Sequence, residues 1–272
     1  MSDKNSNEIK LPWFKTLFGH FDLLLGANFS AWAVCLIFTT IETLLFAASG
    51  NMAACASDVY NQNHFCNVNL LSALGVRIVI IFWECMFVRN WIEKINKQTK
   101  LTIKNTFLPN IKDVKIFALW VAYILTLAIA GGAMYLLYVR VPNPDWHIEL
   151  LYFASIAWLF LVPLVALRFC CYGGAAALGY PLPKISEVWK RTSGNGIKLC
   201  LSLIILIIIG LFAGTNVARL TQQIRNVDSL LKALEIEYII ILVKMIIIAL
   251  AANFCYMQYT LLFGSKDDDK TK

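Results

Sequence analysis

Five stretches of this chain, residues 23–41, 116–139, 150–167, 199–218 and 245–265, contain no Asp, Glu, Lys or Arg. A helix crosses the hydrocarbon core of a bilayer in about 20 apolar residues, so each stretch has the length and character of a span. A sixth apolar stretch, near 69–90, is interrupted by Arg77 and Glu84. Lipid offers the backbone no hydrogen bonds, which leaves helices or a closed β-barrel as spanning structures. Barrel strands alternate apolar and polar residues over about ten positions; Leu203-Ile204-Ile205-Leu206-Ile207-Ile208-Ile209 does not alternate. The expectation is an all-α, polytopic integral membrane protein. Its six transmembrane helices fall at about 22–48, 69–90, 114–139, 149–173, 197–219 and 238–263. Composition agrees, because 15% charged residues is well below the roughly 25% of a soluble domain.

Lysine and arginine alternate in density along the segments between spans. One set of alternate segments carries 18 of them and the other carries 4, with Arg77 and Lys244 inside spans. The positive-inside rule then places both termini in the cytoplasm. Residues 1–21 form a cytoplasmic tail with an interfacial helix, 22–263 the six-helix transmembrane domain, and 264–272 a cytoplasmic tail. The first apolar run is longer than a signal-peptide core and lies behind some twenty polar or amphipathic residues, so no cleaved signal is expected. The net charge of +7 sits where anionic headgroups attract it, and no nucleic-acid partner is expected.

Leu11-Pro12, Leu108-Pro109 and Leu182-Pro183 each precede a short amphipathic stretch and then an odd-numbered span. Proline is tolerated at a helix start because its missing N–H had no partner there. Apolar residues beside lysines suit an interfacial helix. The pattern reads as three hairpins, each introduced by a short cytoplasmic interfacial helix. Lys112, Lys115, Lys184, Lys190, Arg191 and Lys198 are the expected headgroup contacts. Leu220, Ile224, Val227, Leu231 and Leu234 recur at helical spacing, either as an outward extension of the fifth span or as a helix on the outer surface.

Of eight cysteines, Cys35, Cys85, Cys170, Cys171, Cys200 and Cys255 fall in or at the ends of spans, where a thiol packs as a small apolar group. Cys55 and Cys66 share the outer loop, and in an oxidising compartment they are expected to form a disulfide. A zinc site using the neighbouring His64 is the rival, with a ligand spacing that matches no standard pattern. No other metal site and no cofactor is expected. No H-E-x-x-H, P-loop, G-x-S-x-G or G-x-G-x-x-G occurs, and His20 and His147 lack a nucleophile partner, so no enzymatic activity is expected.

Charges within the second span nearly cancel its hydrophobic gain. Arg77 and Glu84 cost about 2.5–3.5 kcal/mol each at mid-bilayer, while the eleven Leu, Ile, Val or Phe residues of 70–88 return roughly 0.3–0.6 kcal/mol each. The span therefore needs partners. Matching depth in antiparallel neighbours pairs Glu42 with Arg77 and offers Arg168 to Glu84, while Lys244 either snorkels outward or joins the Glu42–Arg77 group. The intramembrane polar cluster is thus Glu42, Arg77, Glu84, Arg168 and Lys244. Gly131-Gly132, Gly173-Gly174 and Gly210-x-x-x-Gly214 are read as close helix contacts.

From Pro163 through Gly173-Gly174-Ala175-Ala176-Ala177 and Ile185-Ser186-Glu187-Val188-Trp189-Lys190-Arg191-Thr192-Ser193-Gly194-Asn195-Gly196, the chain resembles bacterial YciC-like six-helix inner-membrane proteins. It also resembles the membrane domain attached to some glycerophosphodiester phosphodiesterases. The resemblance implies an inner-membrane location and a six-helix fold, and carries no catalytic residues. The leading functional expectation is a non-enzymatic membrane protein acting through lipids, other membrane proteins or itself. A transporter or channel using Glu42, Arg77, Glu84 and Lys244 is the alternative, ahead of a lipid-modifying membrane enzyme.

Overall fold

The computed structural model describes residues 18–49, 70–96, 103–140, 149, 167–224 and 230–264. Every regular element among them is helical: α1 (Gly19–Leu25), α2 (Phe29–Ser49), α3 (Leu70–Ile95), α4 (Ile103–Phe107), α5 (Ile111–Arg140), α6 (Cys171–Leu178), α7 (Ile185–Thr192), α8 (Gly196–Ile224) and α9 (Leu230–Phe263). Two of them, α2 and residues Leu231–Phe263 of α9, are long and apolar enough to cross a membrane. Cys55, Cys66, His64, His147, Pro163, residues 150–166 of the fourth expected span, and residues 1–17 and 265–272 of the two tails lie outside the described residues.

The expected first span, 22–48, is divided in the structure. α1 stops at Gly26 and α2 starts at Phe29, because Asn28 caps the new helix: its Oδ1 accepts from the Ala31 N–H at 2.9 Å. That oxygen satisfies one of the donors a helix start leaves unpaired. The Asn28 amide also donates to the Lys94 carbonyl at 2.9 Å, so one side chain serves the start of α2 and the end of α3.

The second repeat of the expected interfacial pattern also differs. Ile111–Lys115 is not a separate surface helix but the first turn and a half of α5. Asn110 and Asp113 close that start reciprocally. The Asn110 N–H donates to Asp113 Oδ2 at 2.7 Å, and Asn110 Oδ1 accepts from the Lys112 N–H at 3.4 Å, as in a capping box. The third repeat does form a separate short helix, α7, followed by Gly194 at φ +79. The amphipathic segment 220–237 is shared between the end of α8 and the start of α9.

α9 is the centre of the molecule. It packs against α1, α2, α3, α6 and α8, while α3 also meets α2, α4, α5 and α6. The core between α2, α3 and α9 holds Phe38, Phe87, Trp91, Ile241 and Met245. Trp91 Nε1 donates to Asn253 Oδ1 at 2.9 Å, and the Asn253 amide donates to the His20 carbonyl at 3.1 Å, which ties α3, α9 and α1 together. Against α6 the approach is limited by Gly174. A Cβ there would lie 2.5 Å from the Cys255 carbonyl oxygen and 2.9 Å from Tyr259 Cβ. Ala175, Ala176 and Ala177 extend that close contact with buried small side chains.

These contacts bring particular helix ends together. The start of α2 meets the end of α3 through Asn28, the end of α3 meets the start of α5 through Arg89, and α7 meets the end of α9 through Arg191. α2 and α3 therefore run antiparallel, as do α3 and α5. The outer faces remain apolar: Leu125, Ile129 and Leu136 of α5 and Ile208, Leu211 and Phe212 of α8 are exposed.

Candidate functional site

Two polar constellations stand out against this apolar frame. The first lies within the bundle, on the order of 15–30 Å from the end that gathers the α2 start and the α3 and α9 ends, at 1.5 Å of rise per residue. Glu42 of α2, Glu84 of α3 and Lys244 of α9 meet there. Lys244 Nζ donates to Glu42 Oε1, and to Glu84 Oε1 at 2.8 Å. Glu42 is 0% exposed, whereas the side chains of Glu84 and Lys244 are 22% and 34% exposed. One ammonium thus serves two carboxylates.

The structure distributes the expected cluster differently from a Glu42–Arg77 pair and a Glu84–Arg168 pair. Lys244 takes both acids. Arg77 is exposed, with its guanidinium carbon 5.4 Å from the Phe46 ring centre, and Lys244 Nζ lies 5.7 Å from the same ring. Arg168 sits at the other constellation, 4.3 Å from the Trp189 ring centre. A cation over an aromatic face is attracted by the ring quadrupole, so both arginines rest on rings.

The second constellation is a shelf at the bundle end. α7 is amphipathic in three sectors. Val188 is buried against the C-terminal part of α9 and α6, and Thr192 is buried as well. Arg191 fixes the helix by donating to the Leu262 carbonyl and to Glu187 at 2.8 Å, with its guanidinium 4.5 Å from the Phe263 ring. Outward, Leu182, Ile185 and Trp189 are exposed, 67% for Ile185 and 49% for Trp189, and Lys184 and Lys190 are exposed beside them.

Not every expected headgroup contact faces outward. Lys112 pairs with Glu93 at 2.7 Å, and Arg191 is committed to the α9 end. Lys115 and Lys198 are half-buried. Gly179, at φ +87, closes α6 beside the Lys112 stem, which a Cβ would approach to 2.9 Å. Lys184 and Lys190 are the exposed members of the set.

Next to the shelf lies a buried network that charge counting alone does not reveal. Arg89 pairs with Asp113 at 2.6 Å and donates to the Asn105 and Leu108 carbonyls at 2.8 and 3.3 Å. Glu93 accepts from Lys112 and lies 3.8 Å from Arg89, and the Asn90 amide donates to the Thr106 carbonyl at 2.9 Å. The network holds α4 and its connection between α3 and α5. The N-x-x-D spacing of Asn110 and Asp113 signals the helix start in sequence, but nothing local points to Arg89.

Among the described residues no group of three or more His, Cys, Asp or Glu is arranged to hold a metal ion. Cys35, Cys85, Cys170, Cys171 and Cys255 form no disulfide among the described residues. The chain matches no protein-family model, no curated protein and no solved structure.

Proposed function

We propose that this is a six-span integral membrane protein, related in plan to the YciC-like proteins it resembles, that acts without catalysis by engaging anionic lipid headgroups at its cytoplasmic face. The observation that carries this reading is the α7 shelf. Leu182, Ile185 and Trp189 project as an apolar ridge with Lys184 and Lys190 alongside, and that combination suits the headgroup boundary of a bilayer. Each lysine near an anionic surface contributes roughly 1 kcal/mol. The ridge is also held rigidly, because Arg191 and Arg168 lock the helix by polar and ring contacts rather than leaving it tethered by loops alone. The exposed apolar faces of α5 and α8 fit hydrocarbon; a soluble monomer rarely leaves such large contiguous patches open.

Native mass spectrometry of the full chain released from nanodiscs of mixed anionic and zwitterionic lipid tests the reading. Wild type is expected to retain anionic lipid in a fixed ratio. The double substitution Lys184→Ser, Lys190→Ser should lose it while keeping the fold. A wild-type protein that emerges bare, or retains lipid without regard to headgroup charge, would refute the proposal.

A second reading, cation-coupled transport, is favoured by one specific observation: three ionisable side chains from three different helices, α2, α3 and α9, meet within the bundle. Intramembrane charges that face one another mark either helix pairing or an ion route.

A further inference from the structure

Lys244 leaves the Glu42–Glu84 site incompletely satisfied. The second carboxylate oxygen of Glu42, Oε2, is buried and accepts no hydrogen bond among the described residues, although the side chain is 0% exposed. Two carboxylates share a single ammonium, and Arg77 makes no ion pair among the described residues. One ammonium is thus divided between two acids, and its contacts leave Glu42 Oε2 unmatched. The access is uneven: Glu42 is sealed, while the side chains of Glu84 and Lys244 are partly exposed.

We infer that Glu42 and Glu84 form a site for one alkali-metal cation, and that the Lys244 ammonium is its tethered occupant, exchanging with that ion. Carboxylate oxygens are hard ligands that suit such ions. No third acidic or imidazole ligand joins them among the described residues, which favours a monovalent ion over calcium with its six to eight oxygens. Exchange of an ammonium for Na+ leaves the buried charge unchanged, so the carboxylates are never stranded without a counter-charge in low dielectric. The flexible four-carbon stem of lysine lets its head group withdraw toward the open side, where long basic side chains reach polar surroundings. No bond is made or broken; one cation replaces another. The inference stands apart from the lipid reading, which uses neither acid.

The test is thermal unfolding of the purified full chain, followed by tryptophan fluorescence, in NaCl against N-methyl-D-glucamine chloride at equal ionic strength. Wild type is expected to show a saturable, Na+-specific rise in Tm. Lys244→Met removes the tethered competitor, whose effective concentration is in the millimolar range or above, so half-saturation should fall at least tenfold. Glu84→Gln placed on Lys244→Met should abolish the response. Identical responses to the two salts in Lys244→Met, or an unchanged response after Glu84→Gln, would overturn the inference. If Lys244→Met is recovered only when Na+ is present, that rescue supports it. If it is recovered in neither salt, radioactive Na+ binding to wild type and Lys244→Arg decides. The guanidinium fork holds carboxylates more firmly, so wild type should bind and Lys244→Arg should not; equal binding, or none to wild type, overturns it.

Discussion

Replacing Arg89 by alanine should be among the most damaging single changes at the shelf end of the bundle. Arg89 is 2% exposed, and its partner Asp113 is 0% exposed. The substitution removes the 2.6 Å ion pair together with the donors to the Asn105 and Leu108 carbonyls. Asp113 then keeps the Asn110 N–H at 2.7 Å but loses its cation. Removing one partner of a buried ion pair costs about 3–5 kcal/mol, mostly because the remaining charge is stranded. Glu93 is less affected, since Lys112 still holds it at 2.7 Å. If stranding is the cause, neutralising Asp113 should help: Arg89→Ala with Asp113→Asn should recover about 1–3 kcal/mol relative to Arg89→Ala alone. Unfolding of the full chain in mixed micelles by added denaturing detergent, read through tryptophan fluorescence, measures both variants. A loss below about 1 kcal/mol in Arg89→Ala, or a further loss on adding Asp113→Asn, would refute this reasoning.

Other perturbations separate close packing from open space. Gly174→Ala should cost about 1–3 kcal/mol, because its Cβ would press on the Cys255 carbonyl, whereas Gly210→Ala, with nothing described within 4 Å, should be neutral or gain about 0.5–1 kcal/mol from helix propensity; the same unfolding assay ranks them, and the reverse order would contradict the helix contact. Asn28→Ala should cost about 0.5–2 kcal/mol for the lost cap and loosen the α3 end with it, seen as faster amide exchange at both Ala31 and Lys94; exchange changed at Ala31 alone would break the proposed link. Trp91→Phe leaves Asn253 Oδ1 without its donor and should lower stability by about 1–3 kcal/mol, with Asn253→Ala in the Trp91→Phe background adding less than it does in wild type.

Depth along a helix can be read from sequence, but the azimuth of a third helix cannot. Arg77 and Glu42 lie at similar depths when α2 and α3 are set antiparallel, which made Arg77 the natural partner. The structure brings α9 against both helices, and Lys244 reaches the acids while Arg77 turns to Phe46. The same limit applies to basic residues at the shelf end. Arg89, Lys94, Lys112 and Arg191 all count toward the charge bias, yet Arg89 and Lys94 are buried and Lys112 and Arg191 point into ion pairs. Local signals did better. Gly173-Gly174 reads as a close contact, and Gly174 makes one with α9. Gly194 marks the end of α7. By contrast Gly210 and Gly214, which share the sequence signature of a contact, face no described neighbour. Spacing shows that a helix can be approached closely, and only the assembled fold shows whether anything approaches it.

That Lys244 lies so far along the chain from its partners has a consequence for biosynthesis. Its carboxylate partners precede it in the chain by 202 and 160 residues. At about 5–20 residues per second, Glu42 is made roughly 10–40 s before its cation. For the last 160 residues of that interval a nascent chain carries two acids in helices that have no α9 to lean on, and α3 is only marginally apolar in its own right. On the proposed six-span reading, insertion of the early helices therefore depends on a shelter outside the nascent chain, at the insertion machinery or in its surrounding lipid, until α9 arrives. Chains truncated before residue 230 are then expected to be degraded faster than the full chain in a pulse–chase experiment, and equal lifetimes would contradict a role for α9 in completing assembly.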